Sequence, residues 1–215
     1  MTVHLGQWTD TTTLTLVPLQ HPCLRPVRNW TDQQVVHRAV MALFPDDLPG
    51  APEERRATAG ILYRHDSPAR GPARLLVQHQ TPLRSALQTD PNLRHADLGP
   101  LLSHLHIGIH VRFRVALNAV RVQTTTRARQ AITDTDELVV WGVQRLATAG
   151  LHEVDLSDQP RTKLLQTGHG PLWTAQFDGG ACVRDSGAVI ETVQAGMGRA
   201  KAYGCGLLSL ALTGG

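Results

Sequence analysis

The sequence has little that could staple or anchor it. Its three cysteines, Cys23, Cys182 and Cys205, are far apart and form no CxxC pair, so their spacing offers neither a disulfide framework nor a zinc site. No apolar run approaches the roughly 18 residues that a membrane-spanning helix needs. The start, MTVHLGQWTD, lacks the basic opening and apolar run of a signal peptide, and a cytoplasmic location is the expectation. Aromatic residues make up only 4 % of the chain against 41 % hydrophobic, so any core must be mostly aliphatic. Lysine is almost missing: of 21 basic residues, only Lys163 and Lys201 are lysines.

What remains is a mildly basic chain of 215 residues with a formal net charge of +3, long enough for one medium domain or two small ones. The distribution of charge says more than its sum. Residues 111–133 hold five arginines, Arg112, Arg114, Arg121, Arg127 and Arg129, and no acid. An acid-free basic stretch attracts a phosphate backbone, although a solvated strand and loop would look the same.

Periodicity gives the elements. Residues 12–18 alternate threonine with leucine and read as a strand. A loop carrying His21, Arg25 and Arg28 follows. Thr31 looks like a helix N-cap with Gln34 completing a capping box, and the helix should run to about Phe44 with Val36, Val40, Leu43 and Phe44 on its apolar face. Residues 46–56 read as a loop, 59–65 and 73–80 as strands, 81–87 as a short helix, and 91–100 as an interdomain linker. In the second half, 107–122 reads as one long strand, 124–133 as a polar loop and 135–149 as a helix. Residues 151–156, 163–167 and 172–183 read as strands, 186–195 as a helix, and 204–212 as a final buried strand that includes Cys205. Each half approximates strand–helix–strand–strand–helix–strand, so the expected class is α+β, with two tandem ferredoxin-like (RRM-like) domains of antiparallel sheet at 1–98 and 104–215.

The most distinctive segment is GMGRAKAYGCGLLSLAL, from Gly196 onward. Glycine lets a backbone approach a ligand and present N–H groups, and Arg199 and Lys201 add positive charge beside Gly196, Gly198 and Gly204. Together they suit a phosphodiester backbone. The bland alternative is a glycine-rich turn needed only for packing. A dinucleotide fingerprint fails, because Lys201 takes the place of the third glycine and the segment follows a helix and leads into a strand.

This segment resembles the C-terminal glycine-rich signature of the CasE family of the type I-E CRISPR system. QVVHRAVMALFP is similar to that family's first helix, VRFRVALNAVRV to its second opening strand, and VVWGVQRLATAGL to the helix that follows. The resemblance implies a metal-independent endoribonuclease that cleaves the repeat hairpin of precursor CRISPR RNA. The ribose 2′-OH attacks the scissile phosphate, leaving a 2′,3′-cyclic phosphate and a 5′-OH. The resemblance further implies that the protein keeps its product as a subunit of a type I-E surveillance complex, with no cofactor and no membrane partner. His37 matches the family's catalytic histidine, a residue type whose neutral pKa suits acid–base work, and Arg38 follows it. The family pattern often has a tyrosine one helical turn earlier, where this chain has Gln34; Lys201, His21 and Tyr203 are the candidates to take that role. The expected RNA contacts are Arg25, Arg28, Arg38, Arg112, Arg114, Arg121, Arg127, Arg129, Arg199, Lys201 and the three glycines.

The alternative reading is a non-catalytic hairpin-RNA scaffold of the same fold. A single-strand binder would need an aromatic pair for stacking, and none is visible in the sequence. His104, His106 and His110 suggest a metal, but no nearby Cys, Asp or Glu completes a site, and none is expected.

Overall fold

The computed structural model describes residues 11–67, 71–123 and 128–213. In the first half, β1 (Thr13–Pro18), α1 (Gln33–Met41), α2 (Arg55–Thr58), β2 (Leu62–Asp66), β3 (Arg74–His79), α3 (Ser85–Gln88) and β4 (Arg94–Asp97) follow in order. Their strands form an antiparallel sheet in the order β2-β3-β1-β4. Helix α4 (Gly99–Ser103) leads into the second half. There β5 (His110–Asn118), β6 (Val120–Val122), β7 (Arg129–Ala131), α5 (Thr135–Thr148), β8 (Leu151–Leu156), β9 (Arg161–Thr167), β10 (Gly170–Val183), α6 (Ser186–Ala195) and β11 (Ser209–Leu212) follow. The second sheet runs β11-β5-β10-β8, with β9 folded back on β10, and β6–β7 is a separate hairpin. Both sheets place the third long strand between the first two and the fourth outside the first. This is the ferredoxin-like arrangement, present twice.

The physical causes are local. Aspartates cap the three long helices: Asp32 accepts from Gln34 N and Val35 N at 3.0 and 3.2 Å, Asp134 from Glu137 N, and Asp185 from Ala188 N. Each such cap stabilises by about 1 kcal/mol. Thr31 is therefore not the cap of α1; its carbonyl accepts from Gln166 N at 2.8 Å, so the end of β9 docks on the start of this helix. Two aliphatic cores result. One gathers Val17, Val36, Val40, Leu43, Phe44 and Leu75; the other gathers Val111, Val115, Leu138, Leu146, Phe177 and Val189. Helix α5 lies close on its sheet because residue 142 is glycine: a Cβ there would overlap the Phe177 ring.

Four further sequence expectations fail. Residues 91–100 are not a linker, since Arg94–Asp97 pairs with β1 as an edge strand. All four of its residues are exposed, so it carries no apolar alternation. The stretch 107–122 is two strands, and part of 124–133 pairs back as β7. The last strand begins only at Ser209 and is not buried; the buried residues Cys205 to Leu208 precede it as irregular chain. Among the described residues, no helix is long and apolar enough to cross a membrane.

The halves are joined by polar contacts. Arg64 on β2, 3 % exposed, holds Asp66 through Nε and Nη2 at 2.7 and 3.2 Å. Its Nη1 donates to Arg114 O at 3.1 Å and Leu207 O at 2.9 Å. Gln78 donates to Val193 O at 2.6 Å, and Tyr63 to Ala202 O at 2.8 Å.

Candidate active site

The glycine-rich segment leaves α6 at Gly196, turns through a short 3-10 helix at Lys201–Tyr203, and returns to β5, where Gly206 N donates to Ala116 O at 2.7 Å. Gly206 also accepts from Met197 N at 2.8 Å, which closes the loop on itself. Its φ is 87°, and a Cβ would overlap Met197 O, so only glycine fits. Gly196 and Gly204 are also packed. A Cβ on Gly196 would lie 2.7 Å from Leu62, and one on Gly204 3.2 Å from Tyr63. Of the three glycines expected to face RNA, only Gly198 is not tightly packed, with Leu117 3.9 Å from its Cβ position.

This turn meets helix α1. The His37 ring stands edge-on to Tyr203, with centroids 6.5 Å apart at 70°. The imidazole is half-buried. Burial pushes its pKa below the usual 6.5, and the Arg56 guanidinium pushes it further; the Ala202 backbone opposes both. No well-formed hydrogen bond reaches buried Nδ1. Lys201 donates to Ala195 O at 2.8 Å, and its pKa is lowered by burial and again by Arg56. Arg56, which donates to Ile61 O at 2.5 Å, is thus a cation close to both His37 and Lys201. Sequence reading missed it, because residues 46–56 look like a polar loop and nothing local singles out the second of two adjacent arginines.

Other expected residues lie elsewhere. His21 is 7 % exposed and fully engaged: Nδ1 meets Cys23 Sγ at 2.8 Å and Nε2 meets Asp90 at 2.9 Å. That leaves neither nitrogen free for proton transfer. Arg25, Arg28 and Arg38 are exposed. Arg114, partly exposed on the same face of β5 as Arg112, is paired with Asp178 and, at 3.7 Å, with Asp66, so it is not a free phosphate contact. Arg112 is exposed on the outer face of the second sheet. Arg127 lies outside the described residues.

Two surface grooves flank the glycine-rich turn. One, of about 550 Å³, is lined by Leu117, Arg121, Trp141, Arg145, Met197 and Arg199. The other, of about 560 Å³, includes Asn118, Arg129, Leu164, His169, Arg199 and Tyr203. Arg199 borders both, and Tyr203 connects the second to His37. Arg145, which lies 5.3 Å over the Trp141 ring, and His169 are further basic groups that the sequence did not single out. Arg121 pairs with Glu137 at the edge.

A profile of CRISPR associated proteins matches residues 14–211. The chain belongs to this family. It is 26 % identical over 198 residues to the CRISPR system Cascade subunit CasE of Escherichia coli (strain K12), which covers 86 % of this chain and 94 % of that protein. Among solved structures, Thermus thermophilus Cse3 bound to an RNA representing a pre-cleavage complex superposes with a TM-score of 0.71 at 25 % identity, covering 94 % and 98 % of the two chains. Cas6e from Escherichia coli K-12 superposes at 0.63 with 20 % identity, covering 94 % and 100 %. The CasE-family resemblance carried by the glycine-rich signature is borne out, as is the tandem ferredoxin-like fold.

Proposed function

We propose that this CasE-family chain is a metal-independent endoribonuclease that cleaves the repeat hairpin of precursor CRISPR RNA and keeps the product within a type I-E surveillance complex in the cytoplasm. One observation carries the reading: His37 on the first helix and Tyr203 in the glycine-rich turn face each other in a T-shaped ring arrangement, with Arg56 and Lys201 beside them. The relatives add support. One is a Cascade subunit, one is Cse3 bound to RNA, and a CRISPR RNA-guided surveillance complex contains a chain 26 % identical to this one.

His37, with its pKa below 6.5, is neutral at pH 7 and acts as the general base. It takes the 2′-OH proton as the 2′-oxygen bonds to phosphorus, and the bond from phosphorus to the 5′-oxygen breaks. Arg56 and Lys201 offset the charge on the phosphorane, the kind of term that is large in a partly dry site. Tyr203 is the phenol that protonates the leaving 5′-oxygen, the role Gln34 cannot fill. The A-form stem is read through phosphates and shape, with Arg121, Arg129, Arg145, Arg199 and Gly198 along the grooves. The domains run 1–98 and 104–215; the separate cores on either side of α4 support that division.

The test is cleavage of a repeat hairpin in EDTA. His37→Ala should lose about 10²–10⁴-fold in rate with hairpin affinity unchanged. Wild-type cutting by that variant removes the catalytic assignment, and no cutting by the wild type favours the scaffold reading.

A further inference from the structure

The second sheet carries a row of metal-type ligands that the RNA grooves do not use. His110 opens β5, Cys182 lies opposite it on β10, and His152 lies opposite Cys182 on β8. Pairing between β8 and β10 is irregular here: the register shifts between Gly180 and Cys182. Glu153 has φ of 51°, a backbone region that glutamate seldom adopts. Between these pairs β10 has one residue, Ala181, and β8 has two, Glu153 and Val154, a bulge that brings the Glu153 carboxylate round to the face of Cys182. As a result a ring nitrogen of His110, a carboxylate oxygen of Glu153 and Cys182 Sγ all lie within 4.8 Å of one another. Among the described residues, this is the one His/Cys/Asp/Glu group so arranged. Sequence inspection looked for partners of His110 close by in the chain; the sheet supplies them from more than forty residues away.

We propose that His110, Glu153 and Cys182 form a binding site for one borderline divalent transition metal of the zinc class. The donors are imidazole, carboxylate and thiolate, a set that suits zinc and is wrong for magnesium or calcium. The geometry is close to what zinc needs. A metal centred in a triangle with 4.8 Å sides would sit about 2.8 Å from each corner, against the ~2.0–2.3 Å of a zinc bond. Each ligand must close by less than about 1 Å. Cys182 is 5 % exposed and fixed in the sheet, whereas His110 and Glu153 are exposed and can swing. On binding, the thiol proton leaves to solvent as the sulfur–metal bond forms. His152 Nδ1 lies 3.9 Å from Glu153 Oε1, beyond hydrogen-bond distance, and adds a further imidazole beside the site. The site ties three neighbouring strands together. It lies six residues along β5 from Ala116, where the glycine-rich turn attaches, which is roughly 20 Å at the rise of a strand. It is therefore separate from RNA cleavage.

The test is titration of the full chain, stripped with EDTA and dialysed, with Co(II) and then Zn(II). One equivalent of Co(II) should produce a thiolate-to-cobalt charge-transfer band and tetrahedral d–d absorption, both removed by Zn(II). Cys182→Ser should abolish the charge-transfer band. Glu153→Gln, an exposed change that leaves folding intact by circular dichroism, should weaken Co(II) binding at least tenfold, and His110→Ala likewise. Hairpin cleavage should be the same with and without Zn(II). The proposal is overturned if the wild type takes up no stoichiometric metal, if the band survives in Cys182→Ser, or if Glu153→Gln binds with unchanged affinity.

Discussion

Arg64→Met tests what holds the glycine-rich turn against the first half. Wild-type Arg64 satisfies both oxygens of Asp66 and the carbonyls of Arg114 and Leu207. Methionine keeps much of the volume but no donor. It leaves the Asp66 carboxylate 3 % exposed, with Arg114 at 3.7 Å as the cation remaining beside it. Breaking a buried pair in this way costs about 3–5 kcal/mol. With a urea slope of about 2 kcal/mol per molar, the unfolding midpoint should fall by about 1.5–2.5 M. The double variant Arg64→Met, Asp66→Leu removes the stranded charge, and only the two carbonyls lose a partner, at about 1 kcal/mol each. It should regain at least part of the midpoint that the single variant loses. Because Leu207 lies four residues from Tyr203, the single variant should also cut the hairpin at least tenfold more slowly, since a displacement near 1 Å can cost about a hundredfold. A midpoint shift under about 0.5 M in the single variant, or a double variant less stable than the single, would refute this reasoning.

Three further outcomes follow from the charges. Arg56→Gln removes a cation that depresses His37, so the imidazole protonates more readily and the acidic limb of the cleavage pH profile should move to higher pH; a limb that stays in place contradicts the role given to Arg56. Glu137→Gln frees Arg121 at the groove, so hairpin binding should tighten at low salt and its dependence on log salt steepen by about one, as one more phosphate is neutralised; filter binding across a salt series checks it. His79 is 5 % exposed, and burial lowers its pKa from 6.5 to about 4. Between those values the unfolded chain binds a proton that the folded one refuses, so stability falls as pH drops from 6.5 to about 4 and then levels off. The loss is about 3 kcal/mol, from 2.5 units at 1.36 kcal/mol each. His79→Gln should remove that share of the slope in urea melts taken across the same range.

Much of this protein was legible in one dimension. Helical spacing of Val36, Val40, Leu43 and Phe44 predicted the buried face of α1, because a helix on a sheet must hide one stripe. Residues 151–156 and 186–195 were placed to the residue, since Gly150 and the Asp185 cap punctuate them chemically. The glycine-rich signature was distinctive because Gly204 and Gly206 need left-handed backbone and close approach, and those demands are written in residue type.

Tertiary structure decided the rest. Whether an arginine is free for phosphate depends on what lies across the sheet: Arg112 and Arg114 look alike in sequence, yet only Arg114 meets Asp178 and Asp66. Edge strand β4 shows no apolar alternation, so only its pairing with β1 reveals it. Arg56 joins His37 and Lys201, and Cys182 joins His110 and Glu153, through folding alone. Periodicity records which face of an element is buried. It holds no record of which elements come together, and the chemistry of this chain sits where they do.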